Sequence, residues 1–443
     1  MDAGTKFNRL GIGDIQALRS DLAKLLEDPA VNRAHFLRMD GGSVEDVLAT
    51  FGPACRDEVL YLIAERLLQR LNGVGRLYHI AHACFVLLLD DREGQPCTPL
   101  VEQLVEALHQ PVRAGDIPFI FEPKIGIAQY PDHGDDVLTL IRAAVVATRF
   151  AKETNQSHAF YSKQWDETNY HRFRLVTDLA RTLEDAPHRV YPHLQPLIEL
   201  SSGQCIGAEA LVRWNRDDYG VLTAGQFLPN IEGTALFRPL TERVLAASLA
   251  LRAGWNARSD RRHLDLAINL SPSDLQDPDF GKHVKELAQA YDVGFAGIEL
   301  EVTEEALTQN EDVVKATLQD LKDLGATLAL DDYGTGYTSM DLLLNIPFDK
   351  LKFDRSLIQG AMRHSRHEYI LRSTIGILHE LGLRVTAEGI ETAEMAAAAR
   401  NWGCDYAQGY WFTEPLSETD FDAWWRDRDH TSWNMQNIVS FCG

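Results

Sequence analysis

Two neighbouring carboxylates, Asp331 and Asp332, close the apolar start of the run L-A-L-D-D-Y-G-T-G-Y-T-S at residues 328–339. Along a strand, consecutive side chains point to opposite faces, so an adjacent pair serves one site only where the strand stops. Gly334 and Gly336 predict that stop. Two anions this close repel, and one keeps its proton unless a cation lies between them. The run therefore asks for a metal at the mouth of a sheet or barrel, with further ligands supplied from elsewhere in the chain.

The elements that must supply them begin near residue 188, where strand and helix alternate. The strands read V-Y-P-H-L-Q-P-L-I, I-G-A-E-A-L-V-R-W, L-D-L-A-I-N-L, G-I-E-L-E-V-T, T-L-A-L-D-D, K-L-K-F-D, R-V-T-A-E and Y-A-Q-G-Y-W. Amphipathic helices such as D-V-V-K-A-T-L-Q-D-L-K-D-L-G lie between most of them, each closed by glycine. This grammar predicts a (β/α)8 barrel, whose reactive groups gather at the C-terminal strand ends. Glu209, Asn269, Glu301, Asp331, Asp332, Lys352, Glu388 and Gln408 all fall late in these strands or just after them. Any one of them alone is better read as a solvated edge or an ion-pair partner. Together they form an oxygen-rich set suited to Mg²⁺ or Mn²⁺ rather than Zn²⁺. Two divalent ions about 3.5–4 Å apart can clamp a phosphodiester and activate a bridging water, and this needs a shared carboxylate. Asp331 is placed for the sharing.

Ahead of the barrel, residues 1–165 follow the order β-α-β-β-α-β, which predicts a small α+β domain. A connecting helix is expected over 166–187, the barrel over 188–430 and a tail over 431–443. The chain has 443 residues, 45% of them hydrophobic, enough for two or three domains. No apolar run approaches the roughly 18 residues of a membrane span, and M-D-A-G-T-K-F-N-R lacks an apolar signal core. Six cysteines without metal or disulfide spacing fit a reducing compartment, so a cytoplasmic protein is expected. A formal charge of −22 argues against a nucleic-acid polymer as partner.

E-A-L-V-R-W at 209–214 resembles the signature of the EAL domain, the bacterial phosphodiesterase for cyclic di-GMP. The resemblance continues through Q-P at 195, N-L-S at 269, E-V-T-E at 301, D-D-Y-G-T-G-Y-T-S at 331, K-F-D at 352, A-E-G-I-E-T at 387 and Q-G-Y at 408. It implies hydrolysis of cyclic di-GMP to linear pGpG. It assigns Glu209, Asn269, Glu301 and Asp331 to one metal, and Asp331 with Asp332 to a second that Glu388 supports directly or through water. Lys352 would orient or activate the attacking water, and Glu304 would brace the D-D-Y-G-T-G loop. Arg213 matches a phosphate-binding arginine, Gln195 and Pro415 match positions lining the guanine pockets, and Leu211 and Gln408 complete the substrate contacts. The blander alternatives are a structural ion pair for Arg213, a loop hydrogen bond for Gln408 and a solvated acid for Glu304. Leu194 stands where a tyrosine is usual and Ala224 where a proline is common. The resemblance further implies two divalent cations, inhibition by Ca²⁺, and a homodimer through the barrel, and it leaves room for a regulatory protein partner.

The first domain resembles the GGDEF fold of diguanylate cyclases, through K-I-G-I-A-Q-Y-P at 124 and A-T-R-F-A-K at 147. Its namesake motif, however, reads A-H-A-C-F at 81–85. Ala81, His82, Ala83 and Cys84 offer neither the space for GTP nor the acids for metal. Asp40 fits the first metal aspartate, but Gly42 and Leu48 replace a further acid and a guanine-binding asparagine, and of the base contacts Asp57 alone persists. A degenerate, regulatory or dimerising domain is expected. The competing reading is a cyclic di-GMP receptor that signals to a partner without turnover. A barrel hydrolase for another phosphodiester is the third.

Overall fold

The computed structural model describes residues 10–41, 44–81, 83–91, 96–115, 117–307, 310–334 and 340–427. The chain forms two compact units, Met1–Arg172 and Phe173–Gly443, and the helix Lys163–Asp185 runs across the division.

In the first unit the strands are β1 (Ala34–Asp40), β2 (Arg76–Ala81), β3 (Cys84–Asp90), the short pair β4 (Val112–Ala114) and β5 (Ile117–Phe119), β6 (Lys124–Tyr130) and β7 (His158–Phe160). Five of them make a sheet ordered β2-β3-β1-β6-β7, antiparallel except for β6 with β7. Helix Val137–Glu153 starts at Asp136, whose carboxylate accepts from the N–H groups of Leu138 and Thr139. Its Leu140, Ala144, Ala147 and Ala151 recur at helical spacing and are buried. Gly126 lets that helix lie directly on β6, because a Cβ there would sit 2.2 Å from the Ala144 carbonyl oxygen.

The second unit holds β8 (Val190–Glu199), β9 (Cys205–Arg216), β10 (Gly220–Thr223), β11 (Asp265–Asn269), β12 (Ile298–Thr303), β13 (Thr327–Tyr333), β14 (Lys350–Phe353), β15 (Arg384–Ala387) and β16 (Tyr406–Ala407). The order β9-β11-β12-β13-β14-β15-β16-β8 returns to β9, so eight strands close a barrel, with β10 outside it on β9. The eight barrel strands are those the sequence pattern predicts. One departs from a plain (β/α)8 repeat: β8 is antiparallel to both β9 and β16. Only a short turn separates β8 from β9, and a connection that short must reverse the chain.

Alternation within each strand decides what enters the barrel. Glu299 and Glu301 lie two apart on β12, and Lys350 and Lys352 two apart on β14, so each pair shares a face. The lower pair meets as an ion pair, Lys350 Nζ to Glu299 Oε2 at 2.5 Å, with Asp265 3.6 Å away. The upper pair belongs to the site below. No helix among the described residues is long and apolar enough to cross a membrane.

Candidate active site

The sequence pattern predicts that the strand stops at Asp331 and Asp332; instead it continues to Tyr333 through a bulge. The pairing of β13 with β14 slips between Leu330 and Tyr333, and Asp332 takes a positive φ of 54°. A left-handed residue breaks the side-to-side alternation, which is how neighbouring carboxylates come to serve one place. Gly334 follows with φ 103°, and a Cβ on it would lie 2.2 Å from Leu357 Cδ1. The glycine is required there by both angle and space. Its N–H donates to Glu304 Oε1 at 3.0 Å, while Glu304 Oε2 is buried without a partner among the described residues. Thr335, Gly336 and Ser339 lie outside the described residues, as do Gly42 and His82 of the first unit and the tail beyond residue 427.

Lys352 stands at the centre. Its ammonium lies 2.7 Å from Glu388 Oε1, 2.9 Å from Glu301 Oε1, 3.2 Å from Asp331 Oδ1 and 3.3 Å from Glu209 Oε2. The side chain is 2% exposed. Glu209 is held from its other sides: Asn269 Nδ2 donates to Oε1 at 2.7 Å, and Gln408 Nε2 donates to Oε2 at 2.7 Å and to Gln195 Oε1 at 2.9 Å. A cavity of about 310 Å³ opens over this cluster, lined by Gln195, Glu209, Leu211, Asp331, Glu388 and Gln408, and also by Arg355, Gly389, Glu391, Gly409 and Tyr410.

Most of the residues singled out in the sequence thus meet at one mouth. Of the five substrate positions, Gln195, Leu211 and Gln408 line the cavity and two do not. Arg213 is buried and donates to the carbonyl oxygen of Val212 at 2.9 Å, and the carbonyl oxygen of Pro415 accepts from His193 Nδ1 at 3.1 Å. Arg355, Glu391 and Tyr410 also line the cavity, and nothing in the sequence singles them out. Each lies inside or beside a quoted motif, K-F-D, A-E-G-I-E-T and Q-G-Y, but carries no pattern that separates a cavity wall from a surface charge.

One ammonium among so many carboxylates leaves the site strongly anionic. Burial opposes the charge on Glu209, yet Lys352 and the amides of Gln408 and Asn269 hold its carboxyl below the ordinary value. Burial and the neighbouring Glu209 push Glu301 well above its own. Burial, then Asp331, raises Asp332 to about 6. Burial raises Glu388 to about 8, with Asp331 and Glu209 adding to the effect against Lys352. Lys352 itself is held well above the ordinary lysine value, because the four carboxylates outweigh its burial.

These donors fit divalent cations. Glu209, Glu301 and Asp331 can bring one oxygen each within 4.8 Å of one another, as can Asp331, Asp332 and Glu388. Asp331 belongs to both groups. Glu301 Oε2 is buried with no hydrogen-bond partner among the described residues, the mark of an oxygen awaiting a cation. Oxygen-only ligands around an open cavity suit a hard ion that keeps exchangeable positions.

In the first unit the two aspartates singled out in the sequence are paired with cations. Asp40 Oδ2 pairs with Lys152 Nζ at 2.9 Å and with Arg38 Nη1 at 3.5 Å, and Asp57 is taken by Arg56 at 2.6 Å. Ala83 packs against Gly41, whose N–H donates to the Ala83 carbonyl oxygen at 3.0 Å.

A closed barrel with this mouth defines a class that comparison with known proteins makes explicit. The EAL domain model matches residues 177–415, and the model described as diguanylate cyclase, GGDEF domain, matches residues 14–158. The chain belongs to the EAL domain family, with a GGDEF domain ahead of the barrel. It is 32% identical over 383 residues to cyclic di-GMP phosphodiesterase PA2567 of Pseudomonas aeruginosa, covering 86% of this chain and 64% of that protein. It is 28% identical to the bifunctional diguanylate cyclase/cyclic di-GMP phosphodiesterase MucR of the same species, covering 92% of this chain and 59% of that one. This chain therefore spans less than two thirds of the length of these relatives. The structure of PaMucR phosphodiesterase in its c-di-GMP complex aligns with 29% identity and a TM-score of 0.53, over 56% of this chain and 99% of its own.

Proposed function

We propose that the barrel hydrolyses cyclic di-GMP to linear pGpG at a site for two divalent cations, Mg²⁺ or Mn²⁺. The observation that carries this reading is Asp331, which belongs to both groups of carboxylates at the floor of the cavity. Bound there, the cations would clamp the scissile phosphodiester and lower the pKa of a bridging water. Glu209, Asn269, Glu301 and Asp331 would hold one, and Asp331, Asp332 and Glu388 the other. Asn269 and Gln408 fix the two oxygens of Glu209 before any ion arrives, so the floor is preorganised. Lys352 keeps its proton, lies within 3.2 Å of Asp331 and 2.7 Å of Glu388, and orients the attacking water by donation. Gln195, Leu211 and Gln408 receive the nucleotide, with Arg213 and Pro415 supporting the walls.

The GGDEF domain serves as a regulatory module without cyclase activity, since Asp40 is occupied by Lys152 and the motif offers Ala83 and Cys84 in place of acids. A second copy of the chain docks on the barrel. Ile370, Ile377 and Leu381 form one exposed apolar stripe along helix Ser365–Glu380 and its cap, which supports this.

Purified protein incubated with cyclic di-GMP and Mg²⁺, with products separated, should yield pGpG, and Glu209→Ala should yield none while keeping its fold. Tight binding with no product from the parent protein would favour the receptor reading instead.

A further inference from the structure

Arg355 opens the helix Arg355–Arg363, directly after its N-cap Asp354, and its side chain runs along the cavity wall. The wall is shaped to hold it. Gly389 has φ 63°, and a Cβ there would lie 2.5 Å from Arg355 Cβ and Cγ, so the arginine stem occupies the space a side chain would fill. Beyond the stem, the guanidinium Nη2 meets Glu391 Oε1 at 2.8 Å. With its amide oxygen turned inward, Gln359 accepts from Arg355 Nε at 2.7 Å and from Nη2 at 3.1 Å, leaving the Nη1 side of the fork without a contact to it.

The cavity lining includes four acids, Glu209, Asp331, Glu388 and Glu391, and Arg355 as its one cation among the described lining residues. Lys352 is engaged by four carboxylates beneath, and Arg213 is not in the lining, one nitrogen of its guanidinium donating to the Val212 carbonyl oxygen. A cyclic dinucleotide carries two phosphodiesters on opposite sides of its ring. If one sits on the acidic floor, the other must find a cation on the wall. We propose that Arg355 is that cation and that Glu391 is its resting partner: the incoming second phosphodiester displaces Glu391 and takes the guanidinium fork. This rests on the phosphodiesterase reading above and names a substrate contact within it.

The exchange is favourable on chemical grounds. Arg355 is 55% exposed and Glu391 39%, so their pair is wetted and weak. A phosphodiester can accept two parallel N–H bonds from the planar fork. Without a ligand, Glu391 keeps the arginine from collapsing onto the acids below. With one, it is released to solvent.

The test is equilibrium binding of cyclic di-GMP to the full chain in Ca²⁺, where turnover is suppressed. Arg355→Ala should weaken binding by about tenfold or more, and Arg355→Lys should recover only part, because an ammonium lacks the fork. Glu391→Gln should tighten binding several-fold, because the competing charge is gone. These opposite signs distinguish the latch from a purely structural pair, whose loss would weaken binding from either side. Arg355→Ala within about twofold of the parent, or a weakened Glu391→Gln, with both proteins folded by circular dichroism, would overturn the latch alone. No binding by the parent protein would overturn the latch and the phosphodiesterase reading together.

Discussion

Gly334 gives its backbone N–H to Glu304 Oε1 at 3.0 Å, two residues beyond the aspartate that carries the bulge. The carboxylate of one loop thus holds the turn that aims Asp332. Glu304→Ala should lower turnover by about tenfold or more although Glu304 belongs to neither carboxylate group. Glu304→Gln, which keeps an acceptor oxygen, should lose much less. Raised Mn²⁺ should restore part of the alanine variant's rate by refilling a poorly formed second site. An alanine variant with the parent's rate and metal dependence would refute the bracing role.

Lys352 neutralises part of a charge cluster, and its removal should show as stability as well as activity. Breaking a buried ion pair from one side costs about 3–5 kcal/mol. Metal-free Lys352→Ala is therefore expected to unfold at clearly lower denaturant than the parent. Mn²⁺ should stabilise this variant more than it stabilises the parent, yet leave turnover lost. Equal denaturation midpoints without metal would contradict the central role of the ammonium.

The pH dependence follows from the raised carboxylates. Asp332 moves from 3.8 to about 6 and Glu388 from 4.5 to about 8, so the folded protein holds more protons than the unfolded chain across that range. Stability of the metal-free protein should accordingly fall as pH rises from about 5 to 8. Lys352 keeps its proton throughout, and the lowered Glu209 acts only at the acid end. Divalent cations compete with these protons, so the rise in melting temperature on adding Mn²⁺ should be larger at pH 8 than at pH 5. Calorimetric scans at both pH values, with and without Mn²⁺, measure this. A gain from Mn²⁺ that does not grow with pH would count against a carboxylate site.

The first unit should form no cyclic di-GMP from GTP and Mg²⁺, because Asp40 is committed to Lys152 and Arg38 and the hairpin supplies no further acid at Ala83 or Cys84. Chromatography of the reaction decides it. Any cyclic product would make this chain bifunctional, as MucR is named.

The barrel was legible because its strands are short apolar runs ended by polar residues and separated by glycine-closed helices. The mouth was legible because strand ends collect at one rim. Three features were not. The reversal of β8 depends on the length of one turn. The bulge at Asp332 depends on a single left-handed residue, and nothing in D-D-Y-G distinguishes a bulge from a strand end. The Arg355–Glu391 pair joins the first residue of a helix to a loop residue, their spacing in the chain says nothing of their approach, and the missing Cβ of Gly389 makes room for the arginine stem.

The ring of strands is fastened at one narrow place. β16 contributes two residues, and it meets β8 only through Tyr406 with Glu199 and Ala407 with Ile198. Further fastening comes from Leu200 N–H donating to the Asp405 carbonyl oxygen at 2.9 Å and from the segment after β16: Leu194 and Leu416 exchange both backbone hydrogen bonds at 2.7 and 2.9 Å, and Gln408 reaches Gln195. That segment is also cavity wall. The barrel is therefore a bracelet whose clasp carries the gem setting: any ligand gripping Gln195 and Gln408 also tightens the joint that keeps the ring shut. Amide exchange at Leu194 and Leu416 would then slow on nucleotide binding, reading out occupancy from the backbone of the clasp itself.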